Sequence, residues 1–173
     1  NGNFESTTWW AGSNVSGFTV SSNVASFTPT AQYGALIQFL TEKPFKANHV
    51  CMALADMKAD STLNNCQLTL SDNVRFTKAA TVTLNTNWQQ VKLFLKESNI
   101  SNDSNHTIAF RTTLADSWGK MYVANVNIID LTQMFGSTIA DYIYTIETAT
   151  PGAGVAWFRK LFPKVYYAYT AGS

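Results

Sequence analysis

Charge is scarce in this sequence. Asp, Glu, Lys and Arg make up 13% of its 173 residues, about half the usual quarter, and twelve basic against eleven acidic side chains leave a formal net charge of +1. So even a balance gives no electrostatic footprint for nucleic acid or an anionic lipid surface. No run approaches the ~18 consecutive apolar residues of a membrane span, so membrane insertion is not expected. Two Cys and two His, scattered as Cys51, Cys66, His49 and His106, cannot supply the ligand cluster of a zinc site. Catalytic groups are thin as well. A glycosidase needs two carboxylates about 5–10 Å apart across a cleft, and the eleven acidic residues show no pair on one strand face. The histidines stand in Asn-His contexts, expected at the surface or at strand ends, with no nucleophile-elbow motif nearby. These absences argue against an enzyme.

The sequence also lacks an initiator Met, a charged n-region and an apolar h-region. It opens on Asn1-Gly2-Asn3-Phe4-Glu5, which reads as a processed or excised piece of something longer. Cys51 and Cys66 lie in segments able to pair as strands, so a disulfide and two buried free thiols are both open readings. Sequons at Asn14, Asn99, Asn102 and Asn105 are what chance gives in a chain so rich in Asn, Ser and Thr.

What is present is Thr (21), Asn (15) and Ser (14), the composition of Thr-rich strands and Asn/Ser-rich turns. From about residue 15 to residue 130 short runs alternate with period two. Val50, Met52 and Leu54 alternate with Cys51, Ala53 and Ala55, and Cys66, Leu68 and Leu70 with Gln67, Thr69 and Ser71, each run giving one apolar face and one small or polar face. Val91, Leu93 and Leu95 oppose Lys92, Phe94 and Lys96, a wet face interrupted by an aromatic. In the run 121–130, Tyr122, Val126 and Ile128 are expected on one side, and Asn125 and Asn127 on the other. Turns are expected at Asn64-Asn65, at 71–73, at 85–87 and along 98–105. Eight or so strands at roughly ten-residue spacing imply an all-β fold, a two-sheet antiparallel β-sandwich of jelly-roll type over residues 1–130.

After Asp130 the pattern becomes helical. Residues 131–136 read as a short turn of helix ended by Gly136; Thr138 is placed to cap a second helix, with Asp141 at its third position, running to about Thr148. A third helix is expected over 155–161 and an extended run over 165–169. Ile139, Tyr142, Ile143 and Ile146 form an apolar stripe that needs covering. Residues 131–173 are therefore expected as an appendage packed on the sandwich, part of the same domain.

Aromatics reach 13%, and a glycan is the ligand class they suit. Sugar C–H faces stack on flat rings while amides, hydroxyls and guanidinium groups match sugar hydroxyls. Most aromatics must serve a core, with Trp88, Phe110, Tyr122 and Phe135 expected inside or at the seam with the appendage. Trp9 and Trp10 are adjacent and point to opposite sides, so at most one is in the core. The candidate ligand contacts are Trp118, in the turn-like 116–120 loop, Trp10, Tyr33 beside Gly34, and Arg111 on the polar face of its strand. The aromatic, basic stretch 158–169 lacks a platform motif for single-stranded nucleic acid and is expected to close the sandwich or contact another subunit.

Two stretches carry a family resemblance. Asn1-Gly2-Asn3-Phe4-Glu5 with Trp9-Trp10, and Trp88-Gln89-Gln90-Val91, resemble the opening and middle of carbohydrate-binding-module-like (CBM-like) jelly rolls. The C-terminal text is more specific: Val123-Ala124-Asn125-Val126, Ile129-Asp130-Leu131-Thr132-Gln133-Met134-Phe135-Gly136, Phe158-Arg159-Lys160-Leu161-Phe162-Pro163 and Tyr166-Tyr167-Ala168-Tyr169-Thr170-Ala171-Gly172. It is similar to the module found in structural proteins of bacteriophages, especially tail, baseplate and fibre proteins. The resemblance implies a non-catalytic module of a virion protein, located in the virion, that adheres to host-surface polysaccharide and contacts other virion proteins or copies of itself. The alternative is a structural spacer or assembly domain without glycan binding. In such jelly rolls a Glu of the opening motif and an Asp near the last strand help hold a structural calcium. Glu5 keeps the first, Ala124 stands where the Asp would be, and backbone carbonyls and Asp130 remain as other ligands. No cofactor is expected beyond that calcium, left open at Glu5 and Asp130.

Overall fold

The computed structural model describes residue 4, residues 6–115 and residues 119–161. Ten strands are found among these described residues: β1 (Trp10–Ser13), β2 (Val15–Ser21), β3 (Val24–Pro29), β4 (Ala35–Leu40), β5 (Val50–Ala59), β6 (Leu63–Ser71), β7 (Thr77–Leu84), β8 (Gln89–Lys96), β9 (His106–Thr112) and β10 (Met121–Asp130). They form two five-stranded antiparallel sheets, a front sheet ordered β1-β4-β9-β6-β7 and a back sheet ordered β2-β3-β10-β5-β8. The expected all-β sandwich is therefore what the chain forms, with more strands than predicted because residues 10–29 supply three short ones. Three helices follow β10: α1 (Leu131–Phe135), α2 (Ser137–Ala149) and α3 (Ala153–Leu161). No described helix is long and apolar enough to cross a membrane.

Strand β5 is buried on both faces from Val50 to Ala55. Cys51, Ala53, Ala55, Met57 and Ala59 turn to the inter-sheet core, where they meet Leu36, Leu68, Leu70, Ile108 and Phe110 of the front sheet. The larger Val50, Met52 and Leu54 turn outward into a second core with Ile129, Leu131, Ala140, Ile143, Val155 and Phe158. The small face of this run lies in the inter-sheet core, and its large face is equally dry because the helices cover the outer face of the back sheet. The same cover explains β8. Its expected wet face carries Phe94, which packs against the second core, while Lys96 pairs with Asp141 at 2.7 Å and Lys92 approaches Glu147 at 3.9 Å.

Three local expectations change. Asn64-Asn65 is no turn: it lies within β6 at a register shift between Leu63 and Cys66, with Asn65 at φ 55°. A second bulge, between Ala124 and Asn127 of β10, centres on Asn125 at φ 50°, a conformation Asn tolerates better than most residues. The extra residue reverses the alternation, so Met121 and Val123 reach the core before it and Val126 after it. Tyr122 therefore faces away from Val126 and Ile128. In the third case α2 has no side-chain cap: Gly136 (φ 82°) both ends α1 and begins α2, and Thr138 sits inside the helix. The buried line of α2 is Ala140, Ile143 and Glu147, leaving Ile139 and Tyr142 exposed. Glu147 accounts for the rotation, because its carboxylate accepts the amides of Gly152, Gly154 and Val155 around the start of α3. The extended run expected over 165–169 lies outside the described residues.

Both cysteines are free and buried, so the disulfide left open by the sequence is not formed. Burial pushes each thiol up to about 12, which leaves two inert core side chains.

Two buried polar residues hold the loops at one end of the sandwich. His106, fully buried at the start of β9 rather than at the surface, accepts the Phe45 amide at Nδ1 (3.2 Å), places Nε2 3.0 Å from the Ser101 carbonyl, and stacks on Phe45. Asp72, also fully buried, accepts the amides of Val74, Arg75 and Phe76 at Oδ1 and that of Ser101 at Oδ2. Burial pushes this carboxyl up, and the four amides outweigh it and hold its pKa at about 2. A carboxyl lower in the folded than in the unfolded chain contributes stability above its unfolded pKa and loses it as pH falls through the folded one. The drop from 3.8 to about 2 corresponds to about 2 kcal/mol at neutral pH. Asp72→Asn, which turns an amide N–H toward Ser101, is expected to lower unfolding free energy at pH 7 by at least that amount. Urea titrations from pH 7 to pH 2 are expected to show the variant and the parent converging at the acid end.

Candidate functional site

Among the described residues the helices cover only the back sheet, and the outer face of the front sheet carries no such cover. Strand register sorts its side chains into rows running across the strands. One row is polar: Ala35 on β4, Arg111 on β9, Gln67 on β6 and Thr81 on β7. The next is small on three of its four strands: Ile37, then Ala109, Thr69 and Ala79. The third is Phe39, Thr107, Ser71 and Thr77. A low row between two taller ones makes a trough. The structure shows a groove of about 200 Å³ there, lined by Tyr33, Ile37, Phe39, Thr69, Ser71, Asn73, Thr107 and Arg111 among others. Four adjacent strands span about 15 Å, long enough for a short run of linked rings.

Arg111, in one wall, continues along its row into a connected chain of side chains. The Arg111 guanidinium lies 5.2 Å from the Tyr33 ring centre, its Nε donates to Gln67 Oε1 at 2.8 Å, and Gln67 Nε2 donates to Thr81 Oγ1 at 3.0 Å. Burial draws the Arg111 pKa down and Tyr33 partly restores it; a guanidinium remains charged regardless. Tyr33 is held by backbone. It adopts φ 61°, its amide donates to the Thr112 carbonyl at 3.0 Å, and the next amide, of Gly34, donates to Ala31 at 2.9 Å. The ring stays 53% exposed, as does Phe39 on the opposite wall. Phe39 also borders a cleft of about 450 Å³ shared with Trp9, Gln38, Glu42 and Asn127.

Of the candidates read from the sequence, Tyr33 and Arg111 are brought together in this groove. Trp10 faces inward, 4.7 Å from the Phe4 ring and 5.8 Å from that of Phe110. Its neighbour Trp9, at 75% exposed, is the one that faces solvent. Trp118 and Glu5 lie outside the described residues. Trp88, expected inside, is 43% exposed, and Tyr122 points out from the back sheet. Phe110 is buried in the inter-sheet core and Phe135 packs against the second core, as expected. Phe39 was missed although its place in β4, in step with Ala35 and Ile37 and out of step with Leu36 and Leu40, marks it as outward. Gln67 was read only as a polar-face residue.

Among the described residues no three His, Cys, Asp or Glu side chains gather into a metal-binding group. Asp130 fits calcium poorly: Oδ1 accepts the Gln133 amide at 2.8 Å to cap α1, and Oδ2 lies 2.8 Å from His49 Nδ1. Ala124 contributes no carboxylate.

No family model matches the chain, and no curated protein matches it. Solved structures do. A CBM4 structure aligns at TM-score 0.60 with 11% identity over 73% of this chain and 97% of that one. The CBM22-1 xylan-binding domain of Paenibacillus barcinonensis Xyn10C aligns at 0.56 with 15% identity, covering 73% and 89%. A family 11 carbohydrate-binding module from Clostridium thermocellum, in complex with a β-1,3-1,4-mixed-linked tetrasaccharide, aligns at 0.53 with 14% identity, covering 73% and 92%. Identities this low establish a shared fold: the sandwich is the jelly roll of carbohydrate-binding modules.

The turn that presents Tyr33 leaves no room at Gly34, where an added Cβ would lie 2.5 Å from the Asn14 carbonyl oxygen and 3.0 Å from that of Ala31. The Asn14 oxygen is itself fixed by the Thr30 amide at 2.8 Å. Gly34→Ala is expected to cost about 1–3 kcal/mol of stability in urea unfolding, because backbone rather than a flexible side-chain end must move.

Proposed function

We propose that this chain is a non-catalytic carbohydrate-binding module whose ligand, a polysaccharide segment, lies in the groove across the front sheet. The observation that carries the reading is the groove itself, with exposed Tyr33 and Phe39 facing each other over a floor of mainly small side chains and the Arg111–Gln67–Thr81 chain continuing from one wall. Rings for sugar C–H faces and fixed donors for hydroxyls are the two things a glycan needs. The groove lining includes no carboxylate, and a glycosidase needs two. The solved modules with this fold agree with the reading, one of them named as xylan-binding and one holding a tetrasaccharide.

The finer form of the proposal is adhesion to host-surface polysaccharide by a module of a bacteriophage virion protein, which would place the chain in the virion. It rests on the resemblance carried by the text from Val123 to Gly172. A spacer or assembly role is the second reading, favoured by the exposed Met134, Ile139, Tyr142 and Trp157 on the helices.

Isothermal titration and affinity electrophoresis against soluble β-glucans, xylan and host cell-wall polysaccharide test the groove. Tyr33→Ala and Arg111→Ala are each expected to weaken the binding by about tenfold or more, equivalent to at least about 1.4 kcal/mol. If no polysaccharide binds at millimolar concentration and both variants leave adsorption to host cells intact, the assembly reading replaces this one.

A further inference from the structure

The back sheet carries a second concentration of chemistry beyond the helices. Register sets Tyr122 of β10 opposite Lys58 of β5. Because Met57 pairs with Gln89, Trp88 comes alongside Lys58 from the other side. Tyr122, Lys58 and Trp88 thus form one row across three adjacent strands, with Lys58 Nζ 5.2 Å from the tyrosine ring centre and 5.0 Å from the indole centre. Lys120, two residues before Tyr122 and so on the same face, places its Nζ 5.4 Å from that tyrosine ring. Two ammonium groups therefore share one phenol ring.

Among the described residues neither lysine pairs with an acid. The ion pairs among the described residues engage His49, Lys78, Lys92 and Lys96. The carboxylates closest along β5 are Asp56 and Asp60. Asp56 accepts from Asn125 Nδ2 at 2.8 Å, and the link between Asp60 and Lys120 is backbone to backbone. Ring quadrupoles attract each cation, yet two like charges over the same ring repel each other, and an anion between them removes that repulsion. Trp88 beside them is 43% exposed and offers an apolar surface. Cations and an open indole together suit a ligand with both a negative group and a C–H face.

We infer that this row is a second binding site, for an anionic saccharide whose carboxylate or sulfate lies between Lys58 and Lys120 while its ring contacts Trp88. It is separate from the groove, being on the opposite sheet. The choice of a saccharide among anions rests on the proposed function; the anion site does not. With a net charge of +1, the chain as a whole supplies little attraction, so binding here depends on the local pair.

Affinity electrophoresis in polygalacturonate, dextran sulfate and neutral dextran tests it, with tryptophan fluorescence as a second readout. The parent is expected to be retarded by at least one of the two anionic polymers, which identifies the anion, and not by neutral dextran. Lys58→Gln with Lys120→Gln is expected to lower that affinity by about tenfold or more. The charge-matched pair Lys43→Gln with Lys46→Gln is expected to leave it unchanged, and Trp88→Phe to remove the fluorescence response. The site is overturned if neither anionic polymer retards the parent, if the control pair weakens binding equally, or if single-stranded DNA binds as tightly as the polysaccharides. Loss of neutral-glycan binding in Tyr33→Ala, with anionic binding retained, separates this site from the groove.

Discussion

The first six residues of strand β5, Val50 to Ala55, are dry on both faces, and their alternation of small and large side chains determines what surrounds them. Ala53 and Ala55, pressed against the front sheet, leave space for Phe27, Leu68 and Phe110 in the inter-sheet core. Val50, Met52 and Leu54 on the other side need a cover that a two-sheet fold does not contain, and α1 to α3 supply it. Because α1 to α3 go to the back sheet, the front sheet keeps an open face among the described residues. The front groove and the helical appendage are thus two outcomes of one strand's pattern.

Much of this was legible in the residues. Alternation identified β5 to β10, and the shift to helical spacing after Asp130 located α1, α2 and α3 within a residue or two. What escaped depended on events that leave no trace in a periodic pattern. The bulge at Asn125 inserts one residue and reverses every later side chain of β10, so Tyr122 was grouped with the wrong neighbours. The stripe on α2 was misassigned because Glu147, a charged residue, is buried to hold the start of α3. The faces of β5 and β8 were judged wet or dry one strand at a time, whereas burial is a property of the stack.

The candidate site was legible in part for the same reason. Tyr33 stood out by its place beside Gly34, and Arg111 by its polar face, but nothing in the sequence says they meet. Their meeting follows from β4 and β9 lying side by side. Trp9 and Trp10 show the limit most simply: adjacency required them to diverge, and only the ring cluster with Phe4 and Phe110 decides which one goes in. A groove whose walls stand on paired strands is largely organised before any ligand arrives, so little ordering entropy opposes binding there.

The two buried thiols have a consequence for where this protein can work. Each is held by burial at a pKa of about 12, so the thiolate that oxidants and disulfides require is scarce at any physiological pH. A fold stapled by a bridge gains and loses stability with the redox state around it. With no bridge to form or break and both thiols buried, this core does not change its covalent structure with the redox state around it.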